Sequence, residues 1–161
     1  MNIDVIVEIP KGSRNKYELD KKSGRIRLDR VLRSSVAFPA DYGYIENTLS
    51  DDGDPLDVLI ISRFPVFPGC VVSVRPIALF NMIDSGDNDE KIVGVPEKDP
   101  YFSSWEDLKD IPDALVKEIE EFYRTVKALE PNKFVEPKGW AGVKDAEAMV
   151  EKAIEQGKVN K

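Results

Sequence analysis

An acidic turn is the part of the sequence whose residue types and spacing best suit chemistry. Residues 51–57 (DDGDPLD) lead directly into the apolar segment 58–61 (VLII). Gly53 and Pro55 favour a turn, and the apolar segment is typical of a short strand buried on both faces. Because neighbouring carboxylates repel one another, a divalent cation that prefers oxygen ligands would offset the repulsion. The turn is therefore a candidate site for Mg²⁺ or Ca²⁺.

Two other interpretations of this turn stay open from its residues alone. Asp and Gly are common in turns, so an acidic surface turn without a ligand is as good an explanation. An EF-hand loop fits poorly, because the twelfth position counted from Asp52 is Arg63 and not Glu. Strands rather than helices are also predicted on both sides of the turn.

A second acidic segment favours the metal site over the surface turn. Residues 81–90 (NMIDSGDNDE) are predicted to be the acidic loop of a hairpin, with Asp84 and Asp89 on either side of a tip that contains Gly86. The segment returns through the apolar strand 91–95, so carboxylates again lie where two strands end. Two acidic loops, each followed by an apolar strand, indicate one shared site for metal ions.

The absence of histidine narrows the chemistry. Without His there is no Ser–His or Cys–His nucleophile and no imidazole general base or zinc ligand. Metal ions, with carboxylates as proton acceptors, fit this restriction. The sequence also offers cations that could bind phosphate oxygens: Lys16, Arg30, Lys91 and Lys127. Metals bordered by phosphate-binding cations suit phosphoryl transfer to water.

Composition limits the remaining possibilities. The chain has 161 residues, 42% of them hydrophobic, which indicates one globular domain over residues 1–161. A formal net charge of −7 argues against nucleic-acid and anionic-membrane partners. No apolar run approaches the ~20 residues that cross a bilayer, and the first residues are too acidic for a signal peptide. The single cysteine, Cys70, suits a reducing cytoplasm.

The hydrophobic pattern predicts an α+β fold that is mostly β. Alternation predicts a strand over 2–9 and a hairpin of 16–20 with 25–28 that turns at Gly24. Together with the later apolar segments, these predicted strands indicate a small, mostly antiparallel barrel from residue 2 to about residue 95. A short helix is predicted to open at Ser103, and a longer one near Pro112 that ends at Pro131. The apolar stripe of the longer helix is Leu115, Ile119, Phe122, Val126 and Leu129.

The quoted motifs resemble a known family. The run DDGDPLDVLI, with VEIPKGSRNKYELD before it and DSGDNDEK after it, is similar to the soluble family I inorganic pyrophosphatases of prokaryotic type, in particular actinobacterial and archaeal members. The resemblance implies an OB-like five-stranded antiparallel β-barrel with flanking α-helices. It implies hydrolysis of inorganic diphosphate to two phosphates in the cytoplasm, with several Mg²⁺ ions per active site, by a homohexamer.

The resemblance also implies a role for individual residues. Asp57 would bridge metal ions, and Glu8 and Glu18 would assist the metals or their water. Asp54 would be the leading general base, with Asp89 as the alternative. The implied metal ligands are Glu8, Glu18, Asp52, Asp57, Asp84 and Asp89. The implied substrate-binding residues are Lys16, Arg30, Tyr42, Lys91 and Lys127.

Two positions depart from the family pattern. Members usually have Tyr where this chain has Phe38 and Val126, so two hydroxyls near the phosphates are missing. Tyr123 lies three residues before Val126, and its position on the helix argues against its reaching the same pocket. A weak homologue that only binds phosphate or metal therefore stays an alternative to an active enzyme. A nucleic-acid binder of OB type is a third possibility, which the net charge opposes.

Overall fold

Strands dominate the computed structural model, which describes residues 1–159. The helices in this range are α1 (Asp113–Thr125), α2 (Val143–Val159) and two 3₁₀ turns, Pro100–Phe102 and Leu108–Asp110. The strands are β1 (Ile3–Ile9), β2 (Asn15–Asp20), β3 (Arg25–Val31), β4 (Asp41–Tyr44), β5 (Asp57–Ile60), β6 (Val71–Asp84), β7 (Asp87–Pro96) and β8 (Val135–Ala141). Neither helix within 1–159 combines the length and the apolarity that a bilayer crossing requires.

Five of the strands close into a barrel. The hydrogen-bonded order is β1-β4-β5-β7-β6, and β6 pairs with β1 to complete the circle. β8 extends the sheet along β6, and β2 with β3 forms the separate predicted hairpin. The OB-like barrel is therefore confirmed. One pair, β5 with β7, is parallel, because β6 lies between them in the chain and reverses its direction.

Two apolar clusters hold the helices against the barrel. α1 contributes Ile119 and Phe122 to a cluster that includes Phe80 of β6, and its Tyr123 stacks on Phe80. α2 packs Ala146 and Val150 onto a second cluster on the same sheet. Burial of these side chains supplies the main driving force for docking each helix. The two helices thus pack on the barrel through separate clusters.

The predicted hairpin at 81–90 is confirmed, but its loop is shorter than predicted. β6 continues to Asp84 and β7 begins at Asp87, so a tight turn joins them. Ser85 and Gly86 form this turn with φ angles of 50° and 96°, the left-handed region that short hairpin turns require. Asp84 and Asp89 consequently lie on paired strands, which fixes their positions better than a loop would.

The predicted helix limits also need correction. α1 ends at Thr125, and the chain continues in i to i+3 turns, so Leu129 is exposed and not part of a buried stripe. Ser103 ends a 3₁₀ turn instead of opening a helix. The capping box forms later, between Asp107 and Asp110. β8 was not predicted at all.

Candidate active site

All of the predicted site residues line one cleft of about 270 Å³. Strands β1 to β8, the last turn of α1 and the segment after it contribute to its walls. The predicted residues that it brings together are Glu8, Lys16, Glu18, Arg30, Tyr42, Asp52, Asp54, Asp57, Asp84, Asp89, Lys91 and Lys127. Acids and cations thus share a single site, although they come from distant parts of the chain.

Lys91 occupies the centre of the polar network. The parallel pairing of β5 with β7 places it opposite Asp57, and only 4% of it is exposed. Its Nζ donates to Asp57 Oδ2 at 2.6 Å and to the Tyr42 hydroxyl at 2.9 Å, and it forms an ion pair with Asp89 Oδ2 at 3.1 Å. These contacts engage all three ammonium protons. Burial lowers the Lys91 pKa, but Asp57, Tyr42 and Asp89 outweigh it and raise the pKa, so Lys91 stays charged.

The other predicted cations are also paired with acids. Lys127 Nζ lies 2.6 Å from Asp84 Oδ2. Lys16 Nζ and Arg30 Nε lie 3.1 Å and 3.0 Å from the same oxygen of Asp29, and Arg30 also pairs with Glu130. Asp29 and Glu130 are not among the site residues predicted from the sequence. The one feature of the sequence that could have indicated Asp29 is its place directly before Arg30. No feature of the sequence indicated Glu130.

Three carboxylates of the cleft have raised pKa values. Burial raises the pKa of Glu8 to about 7, although the Leu19 amide donates to its Oε2 at 2.9 Å. Burial raises the pKa of Asp89 to about 6 against the lowering effect of Lys91, and Asp57 adds to the rise. Partial desolvation, with the charges of Asp54 and Asp57, also raises the pKa of Asp52. The cleft therefore holds more negative charge than its surroundings stabilise.

The donor set suits a hard metal ion. Its ligand atoms are carboxylate oxygens, which Mg²⁺ prefers, and their raised pKa values indicate that added positive charge would be favourable. Among residues 1–159, however, no three acidic or cysteine side chains already surround a common point as a metal centre. A bound metal would have to compete with Lys91 and Lys127 for the same oxygens.

Phe38 and Val126, the two positions at which the resemblance implies a Tyr hydroxyl, lie in the cleft wall. Phe38 is 5% exposed and packs edge-on to Tyr42, and Val126 is 8% exposed at the end of α1. Tyr123 also lines the cleft, so the expectation from its position on the helix was wrong. The cleft wraps around the last turn of α1, and one wall can therefore include both residues 123 and 126.

A closed barrel with an acidic cleft bordered by cations suits a metal-dependent hydrolase that acts on phosphate compounds. The family model described as inorganic pyrophosphatase matches residues 5–158, and the chain belongs to this family. It is 52% identical to the inorganic pyrophosphatase of Leifsonia xyli over 92% of this chain and 91% of that protein. It is 48% identical to the inorganic pyrophosphatase of Streptomyces coelicolor over 98% of this chain and 97% of that protein. The crystal structure of the Thermus thermophilus inorganic pyrophosphatase superposes with a TM-score of 0.96 and 42% identity, covering 98% of this chain and 91% of that one.

We expect EDTA-treated protein to lose stability as the pH rises from about 4.5 to about 7. Over this range unfolded Glu8 has released its proton, whereas folded Glu8, with a pKa of about 7, still holds it. Folding then takes up a proton, so the free energy of unfolding falls with rising pH, by roughly 3 kcal/mol for this group. Below 4.5 and above 7 its contribution is constant. Asp52 and Asp89 act in the same direction.

Thermal melting of wild type and Glu8→Gln in EDTA at several pH values measures this effect. The variant should show a shallower decline, because its amide does not titrate. Glu97→Gln, at an exposed position outside the cleft, is the matched control and should follow wild type. An equally steep decline in Glu8→Gln would show that Glu8 is not the source.

Proposed function

We propose that the chain hydrolyses inorganic diphosphate to two phosphates in this cleft, with Mg²⁺ as its metal. Family membership supplies the reaction. The observation that supports the site is the single cleft in which the acids and the cations meet, with Lys91 held between Asp57 and Asp89. Diphosphate is highly charged, and such a site offers it both metal-binding oxygens and direct cationic partners.

In this proposal the acids hold several Mg²⁺ ions, with Asp57 as the bridging ligand. When bound, Mg²⁺ would neutralise phosphate charge and lower the pKa of a coordinated water. Asp57 begins β5, whose other residues are buried, so the backbone that carries this carboxylate is held in place. The proposed metal ligands are Glu8, Glu18, Asp52, Asp57, Asp84 and Asp89.

The cations position the substrate. Arg30 can present two N–H groups to one phosphate, and the lysines act as point charges around it. Each of these cations already has a carboxylate partner, for example Asp84 for Lys127. Binding diphosphate would therefore exchange one anionic partner for another, which costs less than desolvating a hydrated cation. The proposed substrate-binding residues are Lys16, Arg30, Tyr42, Lys91 and Lys127.

Asp54 is the proposed general base, and Asp89 is the alternative. Asp54 lies at the exposed edge of the cleft, on a turn that is braced by a 3.0 Å hydrogen bond from its own amide to Asp52 Oδ1. Asp89 is more enclosed, and its carboxylate is already engaged by Lys91. A base must reach the attacking water and release the proton afterwards, and the exposed edge favours both.

The same proposal covers assembly and location. Residues 1–161 form one domain, copies of the chain assemble as a homohexamer, and the enzyme works in the cytoplasm. The resemblance to prokaryotic family members supports these three statements. Light scattering of the purified protein would report the mass of the assembly, and a monomer mass would contradict the hexamer.

Phosphate release from diphosphate by the purified protein, with Mg²⁺ or with EDTA, tests the proposed function. We expect release that depends on Mg²⁺, because the substrate charge and the attacking water both need the metal. No release at any Mg²⁺ concentration would overturn the proposal. Oligonucleotide binding that weakens with salt, in place of turnover, would favour the nucleic-acid binder instead.

A further inference from the structure

The Tyr123 hydroxyl is an unsatisfied polar group in the wall of the cleft. Within residues 1–159 it is the one buried side-chain nitrogen or oxygen without a hydrogen-bond partner. Folded proteins rarely leave such a group unpaired, because its desolvation is not compensated. The residue lines the same cleft as Tyr42, Lys91 and Val126. A ligand in this cleft could therefore supply the missing partner.

Aromatic packing fixes the direction of this hydroxyl. The Tyr123 ring stacks on Phe80 at a centroid distance of 5.5 Å and an angle of 30°, and it meets Phe122 edge-on at 5.1 Å. Only 5% of the residue is exposed. The ring cannot turn away to find water without leaving these contacts. A rigid donor of this kind is suited to holding a ligand in one orientation.

The neighbouring protein groups do not complete the hydrogen bonding. The three protons of Lys91 already face Asp57, Asp89 and Tyr42. Phe38 and Val126, which share the wall, have no polar side-chain atoms. Burial raises the Tyr123 pKa, and Lys91 only partly opposes this, so the phenol keeps its proton and acts as a donor.

We propose that the Tyr123 hydroxyl donates a hydrogen bond to a phosphate oxygen of bound diphosphate and thereby helps to position it. Phosphate oxygens are charged acceptors, so the bond is stronger than one to water. The inference rests on the proposed function, because it assumes that diphosphate binds in this cleft. It adds Tyr123 to the proposed substrate-binding residues.

Tyr123→Phe removes the hydroxyl and keeps the ring. We expect its affinity for imidodiphosphate, a diphosphate analogue that is not hydrolysed, to fall about ten- to a hundred-fold in calorimetry with Mg²⁺ present. The KM for diphosphate should rise by a similar factor. The melting temperature in EDTA should stay the same or increase, because an unpaired buried hydroxyl has been removed. A purely structural tyrosine would not produce this combination.

Tyr101→Phe is the matched control, because Tyr101 is exposed and lies outside the cleft. It should bind imidodiphosphate like wild type. If Tyr123→Phe melts like wild type and also binds the analogue within about twofold of wild type, the inference is overturned while the proposed function stands. If wild type releases no phosphate from diphosphate, the proposed function itself fails. The two failures are therefore distinguishable.

Discussion

Asp57→Asn should reduce kcat/KM for diphosphate by at least about a thousand-fold, because a neutral amide cannot bridge two cations. In the structure Asp57 begins β5, and its Oδ2 lies 2.6 Å from the buried Lys91 Nζ. The variant should still fold, since Lys91 keeps Asp89 and Tyr42 as partners. Steady-state phosphate release over a wide Mg²⁺ range, with circular dichroism as the check on folding, measures both expectations.

Asp51→Asn is the matched control on the same turn. Asp51 is exposed, pairs with Lys152 at 3.2 Å and does not line the cleft. The control makes the same change of charge a few residues away, so it should retain wild-type activity. Near-normal turnover of Asp57→Asn at saturating Mg²⁺ would contradict the bridging role. An equal loss in both variants would mean that the charge of the turn, and not Asp57 itself, matters.

Asp54→Asn should lower kcat by about 10²- to 10⁴-fold, the usual contribution of a general base. Because Asp54 is not a proposed metal ligand, the Asp54→Asn variant should bind Mg²⁺ and imidodiphosphate almost as tightly as wild type. Asp89→Asn should instead weaken Mg²⁺ binding, since it removes a proposed ligand and a partner of Lys91. Calorimetry for binding and single-turnover measurements for chemistry separate these effects.

The same pair of variants decides which acid is the base. If Asp54→Asn keeps its kcat while Asp89→Asn loses it even at saturating Mg²⁺, the assignment passes to Asp89. If both lose kcat with binding intact, neither acid acts alone, and the proton is shared between them.

The sequence was sufficient for the local parts of this architecture. The turn before β5 was predicted from Gly53 and Pro55, and the hairpin of β2 with β3 from Gly24. Both depend on residues close together in the chain. The barrel followed from the succession of short apolar strands. The roles assigned to the individual site residues stay predictions until the variants are measured.

Most of the specific contacts between distant segments could not be predicted. The contact of Lys91 with Asp57 depends on the parallel pairing of β5 and β7, which only the closed barrel determines. β8 contains Pro137 and Gly139, which normally indicate a loop. Its pairing with β6 shifts register between Asn81 and Met82, which allows these residues within a strand. The position of Tyr123 on an isolated helix predicted that it would not reach the pocket of Val126. The cleft wraps around the end of that helix, so both residues line it. In each case the deciding contact joins distant segments.

The central claim is that the carboxylates of the cleft activate diphosphate hydrolysis by holding Mg²⁺. The most direct measurement strips purified protein with EDTA, removes the chelator, restores Mg²⁺ in steps and follows phosphate release from diphosphate. We predict no release above the protein-free control before Mg²⁺ is added. We then predict a rise steeper than a single-site saturation curve, because several ions act together. Equal release with and without Mg²⁺, or no release at any Mg²⁺ concentration, would contradict the claim.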